Sequence, residues 1–196
     1  MISVTLTNGY VYDKLSDLGL CVFTGNMKRL KKLLKKTGIN TKFTNDSSLL
    51  HICSHNDNPN MFYFLLSKGC DYTHINVSEQ NEKNRKNGNG DTCLHMIVLN
   101  NNISCLEILC RYDIKDIIDI KNRDGDTALH ISIKNGFYEC FFLLIKKGAD
   151  TEIKDYFDMD SYELVDLYEK KEKLYDCYSS TYANMFNLLA SMRRSK

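Results

Sequence analysis

The sequence has no tryptophan, one proline, four alanines and no run of eighteen apolar residues among its 196 positions. The last absence excludes a membrane-spanning helix, which needs about twenty such residues. Charges nearly cancel, leaving a net +1, so the chain lacks the basic field that general nucleic-acid binding requires. The eight cysteines include no C-x-x-C pair, and no H-E-x-x-H, EF-hand or phosphate-cradling glycine loop is present. The common sequence-readable routes to metal, phosphate and redox chemistry are therefore missing. The first fourteen residues show neither a basic n-region nor a long apolar h-region, so secretion is not expected. The lone proline follows an asparagine, and Asn58-Pro59 starts a helix instead of breaking one.

What is present is self-similarity. Residues 124–150 read as one unit: a turn at Asp124-Gly125-Asp126, Thr127 at a helix N-cap, a short helix through Leu129, Ile131 and Ile133, and a stop at Asn135-Gly136. A second helix runs from about Phe137 to Gly148. Gly90-Asp91-Thr92-Cys93-Leu94-His95 repeats Gly125-Asp126-Thr127-Ala128-Leu129-His130 thirty-five residues earlier. Ser48-Leu49-Leu50-His51 repeats it again, forty-four residues before that. Gly69-Cys70-Asp71 and Gly148-Ala149-Asp150 fall at one distance past His51 and His130. A period of this length marks a repeat array, whose core is a stripe through stacked helix pairs. The pattern resembles the ankyrin repeat, with its T-P-L-H turn, paired helices and G-A-D end. Proline is absent from each T-x-L-H copy, where Leu49, Cys93 and Ala128 stand.

The resemblance implies an all-α ankyrin-repeat solenoid of about four to five helix-turn-helix repeats with degenerate end caps. Residues 1–14 form a lead-in without helix signal and residues 15–44 a degenerate capping repeat. Ankyrin repeats span 45–76, 89–123 and 124–155, with a polar loop inserted at 77–88, and a degenerate C-terminal cap and tail covers 156–196. Within that cap Ser161 starts one helix, and Met185, Leu188, Leu189 and Met192 space another. Seven cysteines fall where the repeat needs a small or apolar buried group, so they read as reduced core thiols. The helix MKRLKKLLKK in the first repeat carries six basic residues around Leu30, Leu33 and Leu34. It is either a site for an anionic partner, membrane or nucleic acid, or a solvated outer face.

Cys93 and His95 suggest a thiol nucleophile, but a spacing of two at a helix start does not put them on one face. His51, His95 and His130 suggest metal ligands until the repeat separates them by about 10 Å. In the ankyrin pattern this histidine ties the turn together by hydrogen bonding. Neither enzyme activity nor a cofactor is expected. The resemblance places partner binding on the turn tips and the exposed side of each first helix. Those places are Phe23, His55, Asn56, Asp91, Leu99, Asn100, Arg123, Asp126, Lys134 and Asn135, with Leu99 and Phe23 as apolar anchors or as residues half-buried against a neighbouring repeat. Scarce alanine and abundant Asn, Lys, Ile and Tyr resemble the ankyrin proteins of poxviruses and related large DNA viruses, although AT-rich protist genomes give the same composition. The viral likeness implies a monomeric module in the host cytoplasm or nucleus that binds a host signalling protein, with mimicry of the inhibitor of NF-kappa-B as the concrete form. A fragment of a longer ankyrin protein is the alternative.

Overall fold

The computed structural model describes residues 2–5, 11–40, 48–55, 58–73, 89–174 and 180–193. Two strands come first, β1 (Ile2–Thr5) and β2 (Val11–Leu15), paired antiparallel with Val4 opposite Tyr12 and Thr5 opposite Val11. They occupy the stretch read as a lead-in without helix signal. Ile2, Val4, Thr5 and Val11 are β-branched, and that richness is the strand signal. The helices then alternate in pairs: α1 (Asp17–Phe23) with α2 (Met27–Leu34), α3 (Leu49–His55) with α4 (Pro59–Ser67), and α5 (Cys93–Leu99) with α6 (Ile103–Leu109). A short α7 (Lys115–Ile118) lies in the connection to the next pair. The last pairs are α8 (Ala128–Lys134) with α9 (Tyr138–Lys146), and α10 (Ser161–Leu174) with α11 (Thr181–Arg193). The inserted 77–88 loop lies outside the described residues.

Among the described residues the helices form two rows. The inner row packs α1 on α3, α3 on α5, α5 on α8 and α8 on α10. The outer row packs α4 on α6, α6 on α9 and α9 on α11. Among the described residues the fold is an all-α repeat solenoid of five helix pairs, preceded by the short strand pair. Its core is periodic. Leu50, Leu94 and Leu129 recur in the inner row, and Phe62, Leu106 and Phe141 in the outer row, all essentially inaccessible. The seven described cysteines are free and buried in the same stripe.

Turn chemistry sets the helix lengths. Asn58 accepts from the Met61 N–H at 2.9 Å with Pro59 at the first helical position, the arrangement expected from the Asn-Pro pair. Three inner helices, α1, α5 and α8, end on a left-handed residue: Gly25 (φ +71°), Asn101 (φ +51°) and Gly136 (φ +68°). Asparagine tolerates that conformation better than other non-glycine residues.

One device repeats three times between neighbouring repeats. The Thr92 N–H donates to His95 Nδ1 at 3.1 Å, and the His95 N–H approaches Thr92 Oγ1 at 3.4 Å. With Nδ1 accepting, Nε2 keeps the proton, and it donates across to the Asp126 carbonyl at 3.1 Å. Thr127 and His130 reproduce this toward the Ile153 carbonyl at 3.0 Å. Ser48 and His51 reproduce it toward the Asp91 carbonyl at 3.0 Å. Each ring thus caps its own helix and holds the backbone of the next repeat, at Asp91 and Asp126 in two cases and just ahead of the turn, at Ile153, in the third.

Burial holds the His95 and His130 rings below the ordinary imidazole value, partly offset by the carboxylates of Asp91 beside the first and Asp126 beside the second. The unfolded chain therefore binds protons that the fold refuses once pH drops below about 6.5. This contribution is complete above that value and is lost as acid is added. Chemical denaturation between pH 7.5 and pH 5 should show a falling midpoint, and a flat profile would contradict the ladder. At neutral pH, His95→Ala should cost about 2–3 kcal/mol, because it strands a buried carbonyl and a buried N–H.

Candidate functional site

Two of the fingers that precede the inner helices are built around one polar residue each. Asn122 Oδ1 accepts from the Asp124 and Asp126 N–H groups, both at 3.0 Å, and its backbone N–H donates to the Asp126 carbonyl at 2.9 Å. Asp155 does the same one repeat on. Its Oδ1 accepts from Phe157 N–H at 2.8 Å and Met159 N–H at 3.2 Å, and its N–H donates to the Met159 carbonyl at 3.0 Å. Asp158 (φ +61°) stands where Gly125 (φ +78°) stood. The acidic stretch 155–160 is therefore another finger, and Tyr156 and Phe157 take the tip places of Arg123 and Asp124.

Those two aromatics are 70 % and 76 % exposed, more than any other large hydrophobic residue described. Each finger leans on the one before it. The Arg123 stem lies against Gly90, and the Tyr156 ring lies over Gly125 so closely that an added Cβ would stand 2.5 Å from a ring carbon. Gly125 is thus required twice, for its positive φ and for the ring above it.

Beneath the tips a small ion network joins two fingers. Lys134 Nζ, at the end of α8, meets Asp126 Oδ1 at 2.5 Å and Asp155 Oδ2 at 3.0 Å, and lies 6.0 Å from the centre of the Phe157 ring. Burial alone would raise the Asp155 carboxyl. Its bonds from Lys134 and from the Met159 and Phe157 N–H groups outweigh that and hold it below the usual carboxylate range. Asp91 is likewise inside, accepting from Asn122 Nδ2 at 2.9 Å.

These contacts sort the residues expected to bind a partner. Asp91 and Asp126 are buried, and Lys134 is committed to Asp126 and Asp155. These three form the scaffold of the tips, because a carboxylate that faces the next finger gains N–H and ammonium partners that water would otherwise supply. Asn100 and Asn135 close their own helices through Nδ2 bonds to the Met96 and Ile131 carbonyls, at 2.7 and 2.8 Å. Asn100 Nδ2 also approaches His55 Nδ1 at 3.4 Å, and burial with the nearby His51 lowers the His55 ring to about 4. Phe23 and Leu99 are half-buried against the core, while Arg123 and Asn135 are exposed. Asn56 lies outside the described residues. Phe23, His55, Leu99, Lys134 and Asn135 do fall at the last turns of successive inner helices, or just beyond them. Tyr156 and Phe157 escaped the sequence reading. Their signal was an Asp at 155 spaced as Asn122 is from its own turn.

The pair Cys93 and His95 does not form an activated thiol. Cys93 is fully buried with Sγ 3.4 Å from the Tyr72 carbonyl, and burial pushes its thiol far above the ordinary range. Both nitrogens of His95 are committed to Thr92 and Asp126. Among the described residues no group of three or more His, Cys, Asp or Glu is placed to hold a metal ion, and no helix is long and apolar enough to cross a membrane.

Residues 72–155 match the family model for ankyrin repeats, in three copies. No curated protein matches the sequence. Beyond the matched residues the inner row continues through α1, α3 and α10 and the outer row through α4 and α11, so the ankyrin repeats at 72–155 lie within a longer all-α repeat solenoid. Repeats of this kind are protein–protein interaction modules.

The ion network yields a stability test. Lys134→Met leaves two carboxylates facing each other under the finger and should cost about 3 kcal/mol. Adding Asp155→Asn should restore part of that loss. If the two changes simply add in a denaturation cycle, the residues are not coupled.

Proposed function

We propose that the chain is a non-enzymatic binding module that engages a protein partner along the finger tips and the ends of the inner helices. The observation that carries this reading is the pair Tyr156 and Phe157, standing exposed on a finger whose backbone is pinned by Asp155. Rigid aromatic side chains held out from a firm base are efficient anchors, because little further order is lost on binding. Arg123, Leu99, Asn135 and Phe23 extend the same face, with Asp91, Asp126 and Lys134 shaping it from below.

The viral-like composition supports a partner among host innate-signalling proteins, with mimicry of the inhibitor of NF-kappa-B in the host cytoplasm or nucleus as the concrete form of the proposal. The chain has no D-S-G-x-x-S motif, so such a mimic would escape phosphorylation-driven removal. The chain acts as a monomer in this reading.

Affinity capture from host cells tests both levels. Phe157→Ser and Leu99→Asp, each first shown to leave the melting temperature close to wild type, should weaken capture about tenfold to a hundredfold, the effect of losing 1–3 kcal/mol at an anchor. Undiminished capture by both variants would remove the partner from this face. Capture that is lost by these variants yet contains no NF-kappa-B subunit would keep the face and discard the mimicry.

A further inference from the structure

The outer row holds a second surface, unrelated to the fingers. Between α2 and α4 lies a cavity of about 590 Å³ lined by Lys31, Leu34, Lys35, Ile39, Phe64 and Lys68. Its floor is apolar and its rim is cationic. The Nζ of Lys31 stands 5.2 Å from the centre of the Phe64 ring and that of Lys68 5.9 Å. Lys31 on α2 and Lys35, its C-cap, are one helical turn apart and so share a face, while Lys68 caps the C-terminal end of α4 on the opposite side.

One repeat further on, two tyrosines meet across the same place. The counterparts of Asn40 and Lys68 there are Tyr72 and Tyr112, whose rings lie 6.1 Å apart, with the Tyr72 hydroxyl bonded to the Asp113 carbonyl at 3.0 Å. The opening between the first two repeats is therefore a departure from the repeat and not its by-product. All three lysines are exposed, and Leu34, Ile39 and Phe64 are left half-buried beneath them.

We propose that this groove binds an acidic peptide segment of a partner protein, with one large apolar side chain entering between the lysines and flanking carboxylates meeting the ammonium groups. Charge complementarity selects an anion, and the apolar floor selects a ligand that carries hydrophobic surface with its charge. A concave floor set below the ammonium groups suits a protruding side chain and not a bilayer. Lysines already over the Phe64 ring compete with the base stacking by which single-stranded nucleic acids use such grooves.

The probe is a pool of short labelled peptides of aspartate and glutamate, each with one central leucine, isoleucine or phenylalanine, titrated against the full chain by fluorescence anisotropy. Saturable binding is expected that weakens with salt and falls about tenfold or more when the central residue is serine. The exposed double variant Lys31→Glu/Lys35→Glu should keep the wild-type melting temperature and lose about tenfold or more in affinity. The matched change Lys146→Glu/Lys147→Glu, on α9 of the same row, should leave binding intact. No binding above that of a serine-centred pool, or equal loss in both variants, would overturn the proposal. So would tighter binding to phosphatidylserine vesicles or to a single-stranded oligonucleotide that the first variant abolishes. Self-association in sedimentation that only the first variant removes would make a second copy the occupant instead. The finger-tip variants do not touch this groove, so the two readings stand or fall separately.

Discussion

A neutral imidazole holding two repeats at once is the constraint on which the rest of the molecule depends. Nδ1 accepts from the residue that caps its own inner helix, and Nε2 donates to a backbone carbonyl of the next finger. Helices of seven residues have little stability of their own, and stacking alone leaves rotation between neighbours loosely defined. The ring fixes both, because it works only when cap and neighbouring finger are at the correct distance. It also explains the shape of the core. With the polar ends of each inner helix satisfied locally, Leu50, Leu94 and Leu129 and the cysteines fill a continuous apolar stripe without stranded backbone groups.

The fingers follow from that constraint. Because the Asp126 and Ile153 carbonyls are gripped from below, the turns above them can be short and rigid. Carboxylates at Asp91, Asp126 and Asp155 point inward to satisfy turn N–H groups and Lys134, which leaves the outward places to Arg123, Tyr156 and Phe157. A surface of this kind is chemically varied outside and ionic inside. Its recognition chemistry can change by substitution at the outward places without disturbing the frame, which is how one fold serves many partners.

The sequence made the repeat register, the helix boundaries and the burial of seven cysteines legible, because each depends on local signals in phase: Thr or Ser before the helix, His three residues on, Asn or Gly at its end. The finger at Asp155 was less legible. Its glycine is replaced by Asp158, and no T-x-L-H follows, which hides its kinship with residues 122–126. The ankyrin resemblance points to Asp91 and Asp126 as partner-binding places at the turn tips; their inward role needs the next finger, which no single repeat contains. The basic helix α2 was seen, but the cavity beside it depends on Lys68 and Asn40 standing where the following interface has tyrosines, a comparison between interfaces and not between residues.

Gly19 stands in the first repeat where the later ones have histidine. Ser16 still caps α1, accepting from the Gly19 N–H at 3.3 Å, but glycine carries no imidazole, so the bond that fastens each later repeat to its neighbour cannot form at this place. The solenoid is therefore a zipper with a weak end. Under heat, or under tension on the chain, its leading pair should detach ahead of the block fastened by the three rings, and hydrogen exchange should be quickest there. Whatever occupies the cleft between α2 and α4 would then act as a clasp, joining the loose leading pair to the fastened remainder.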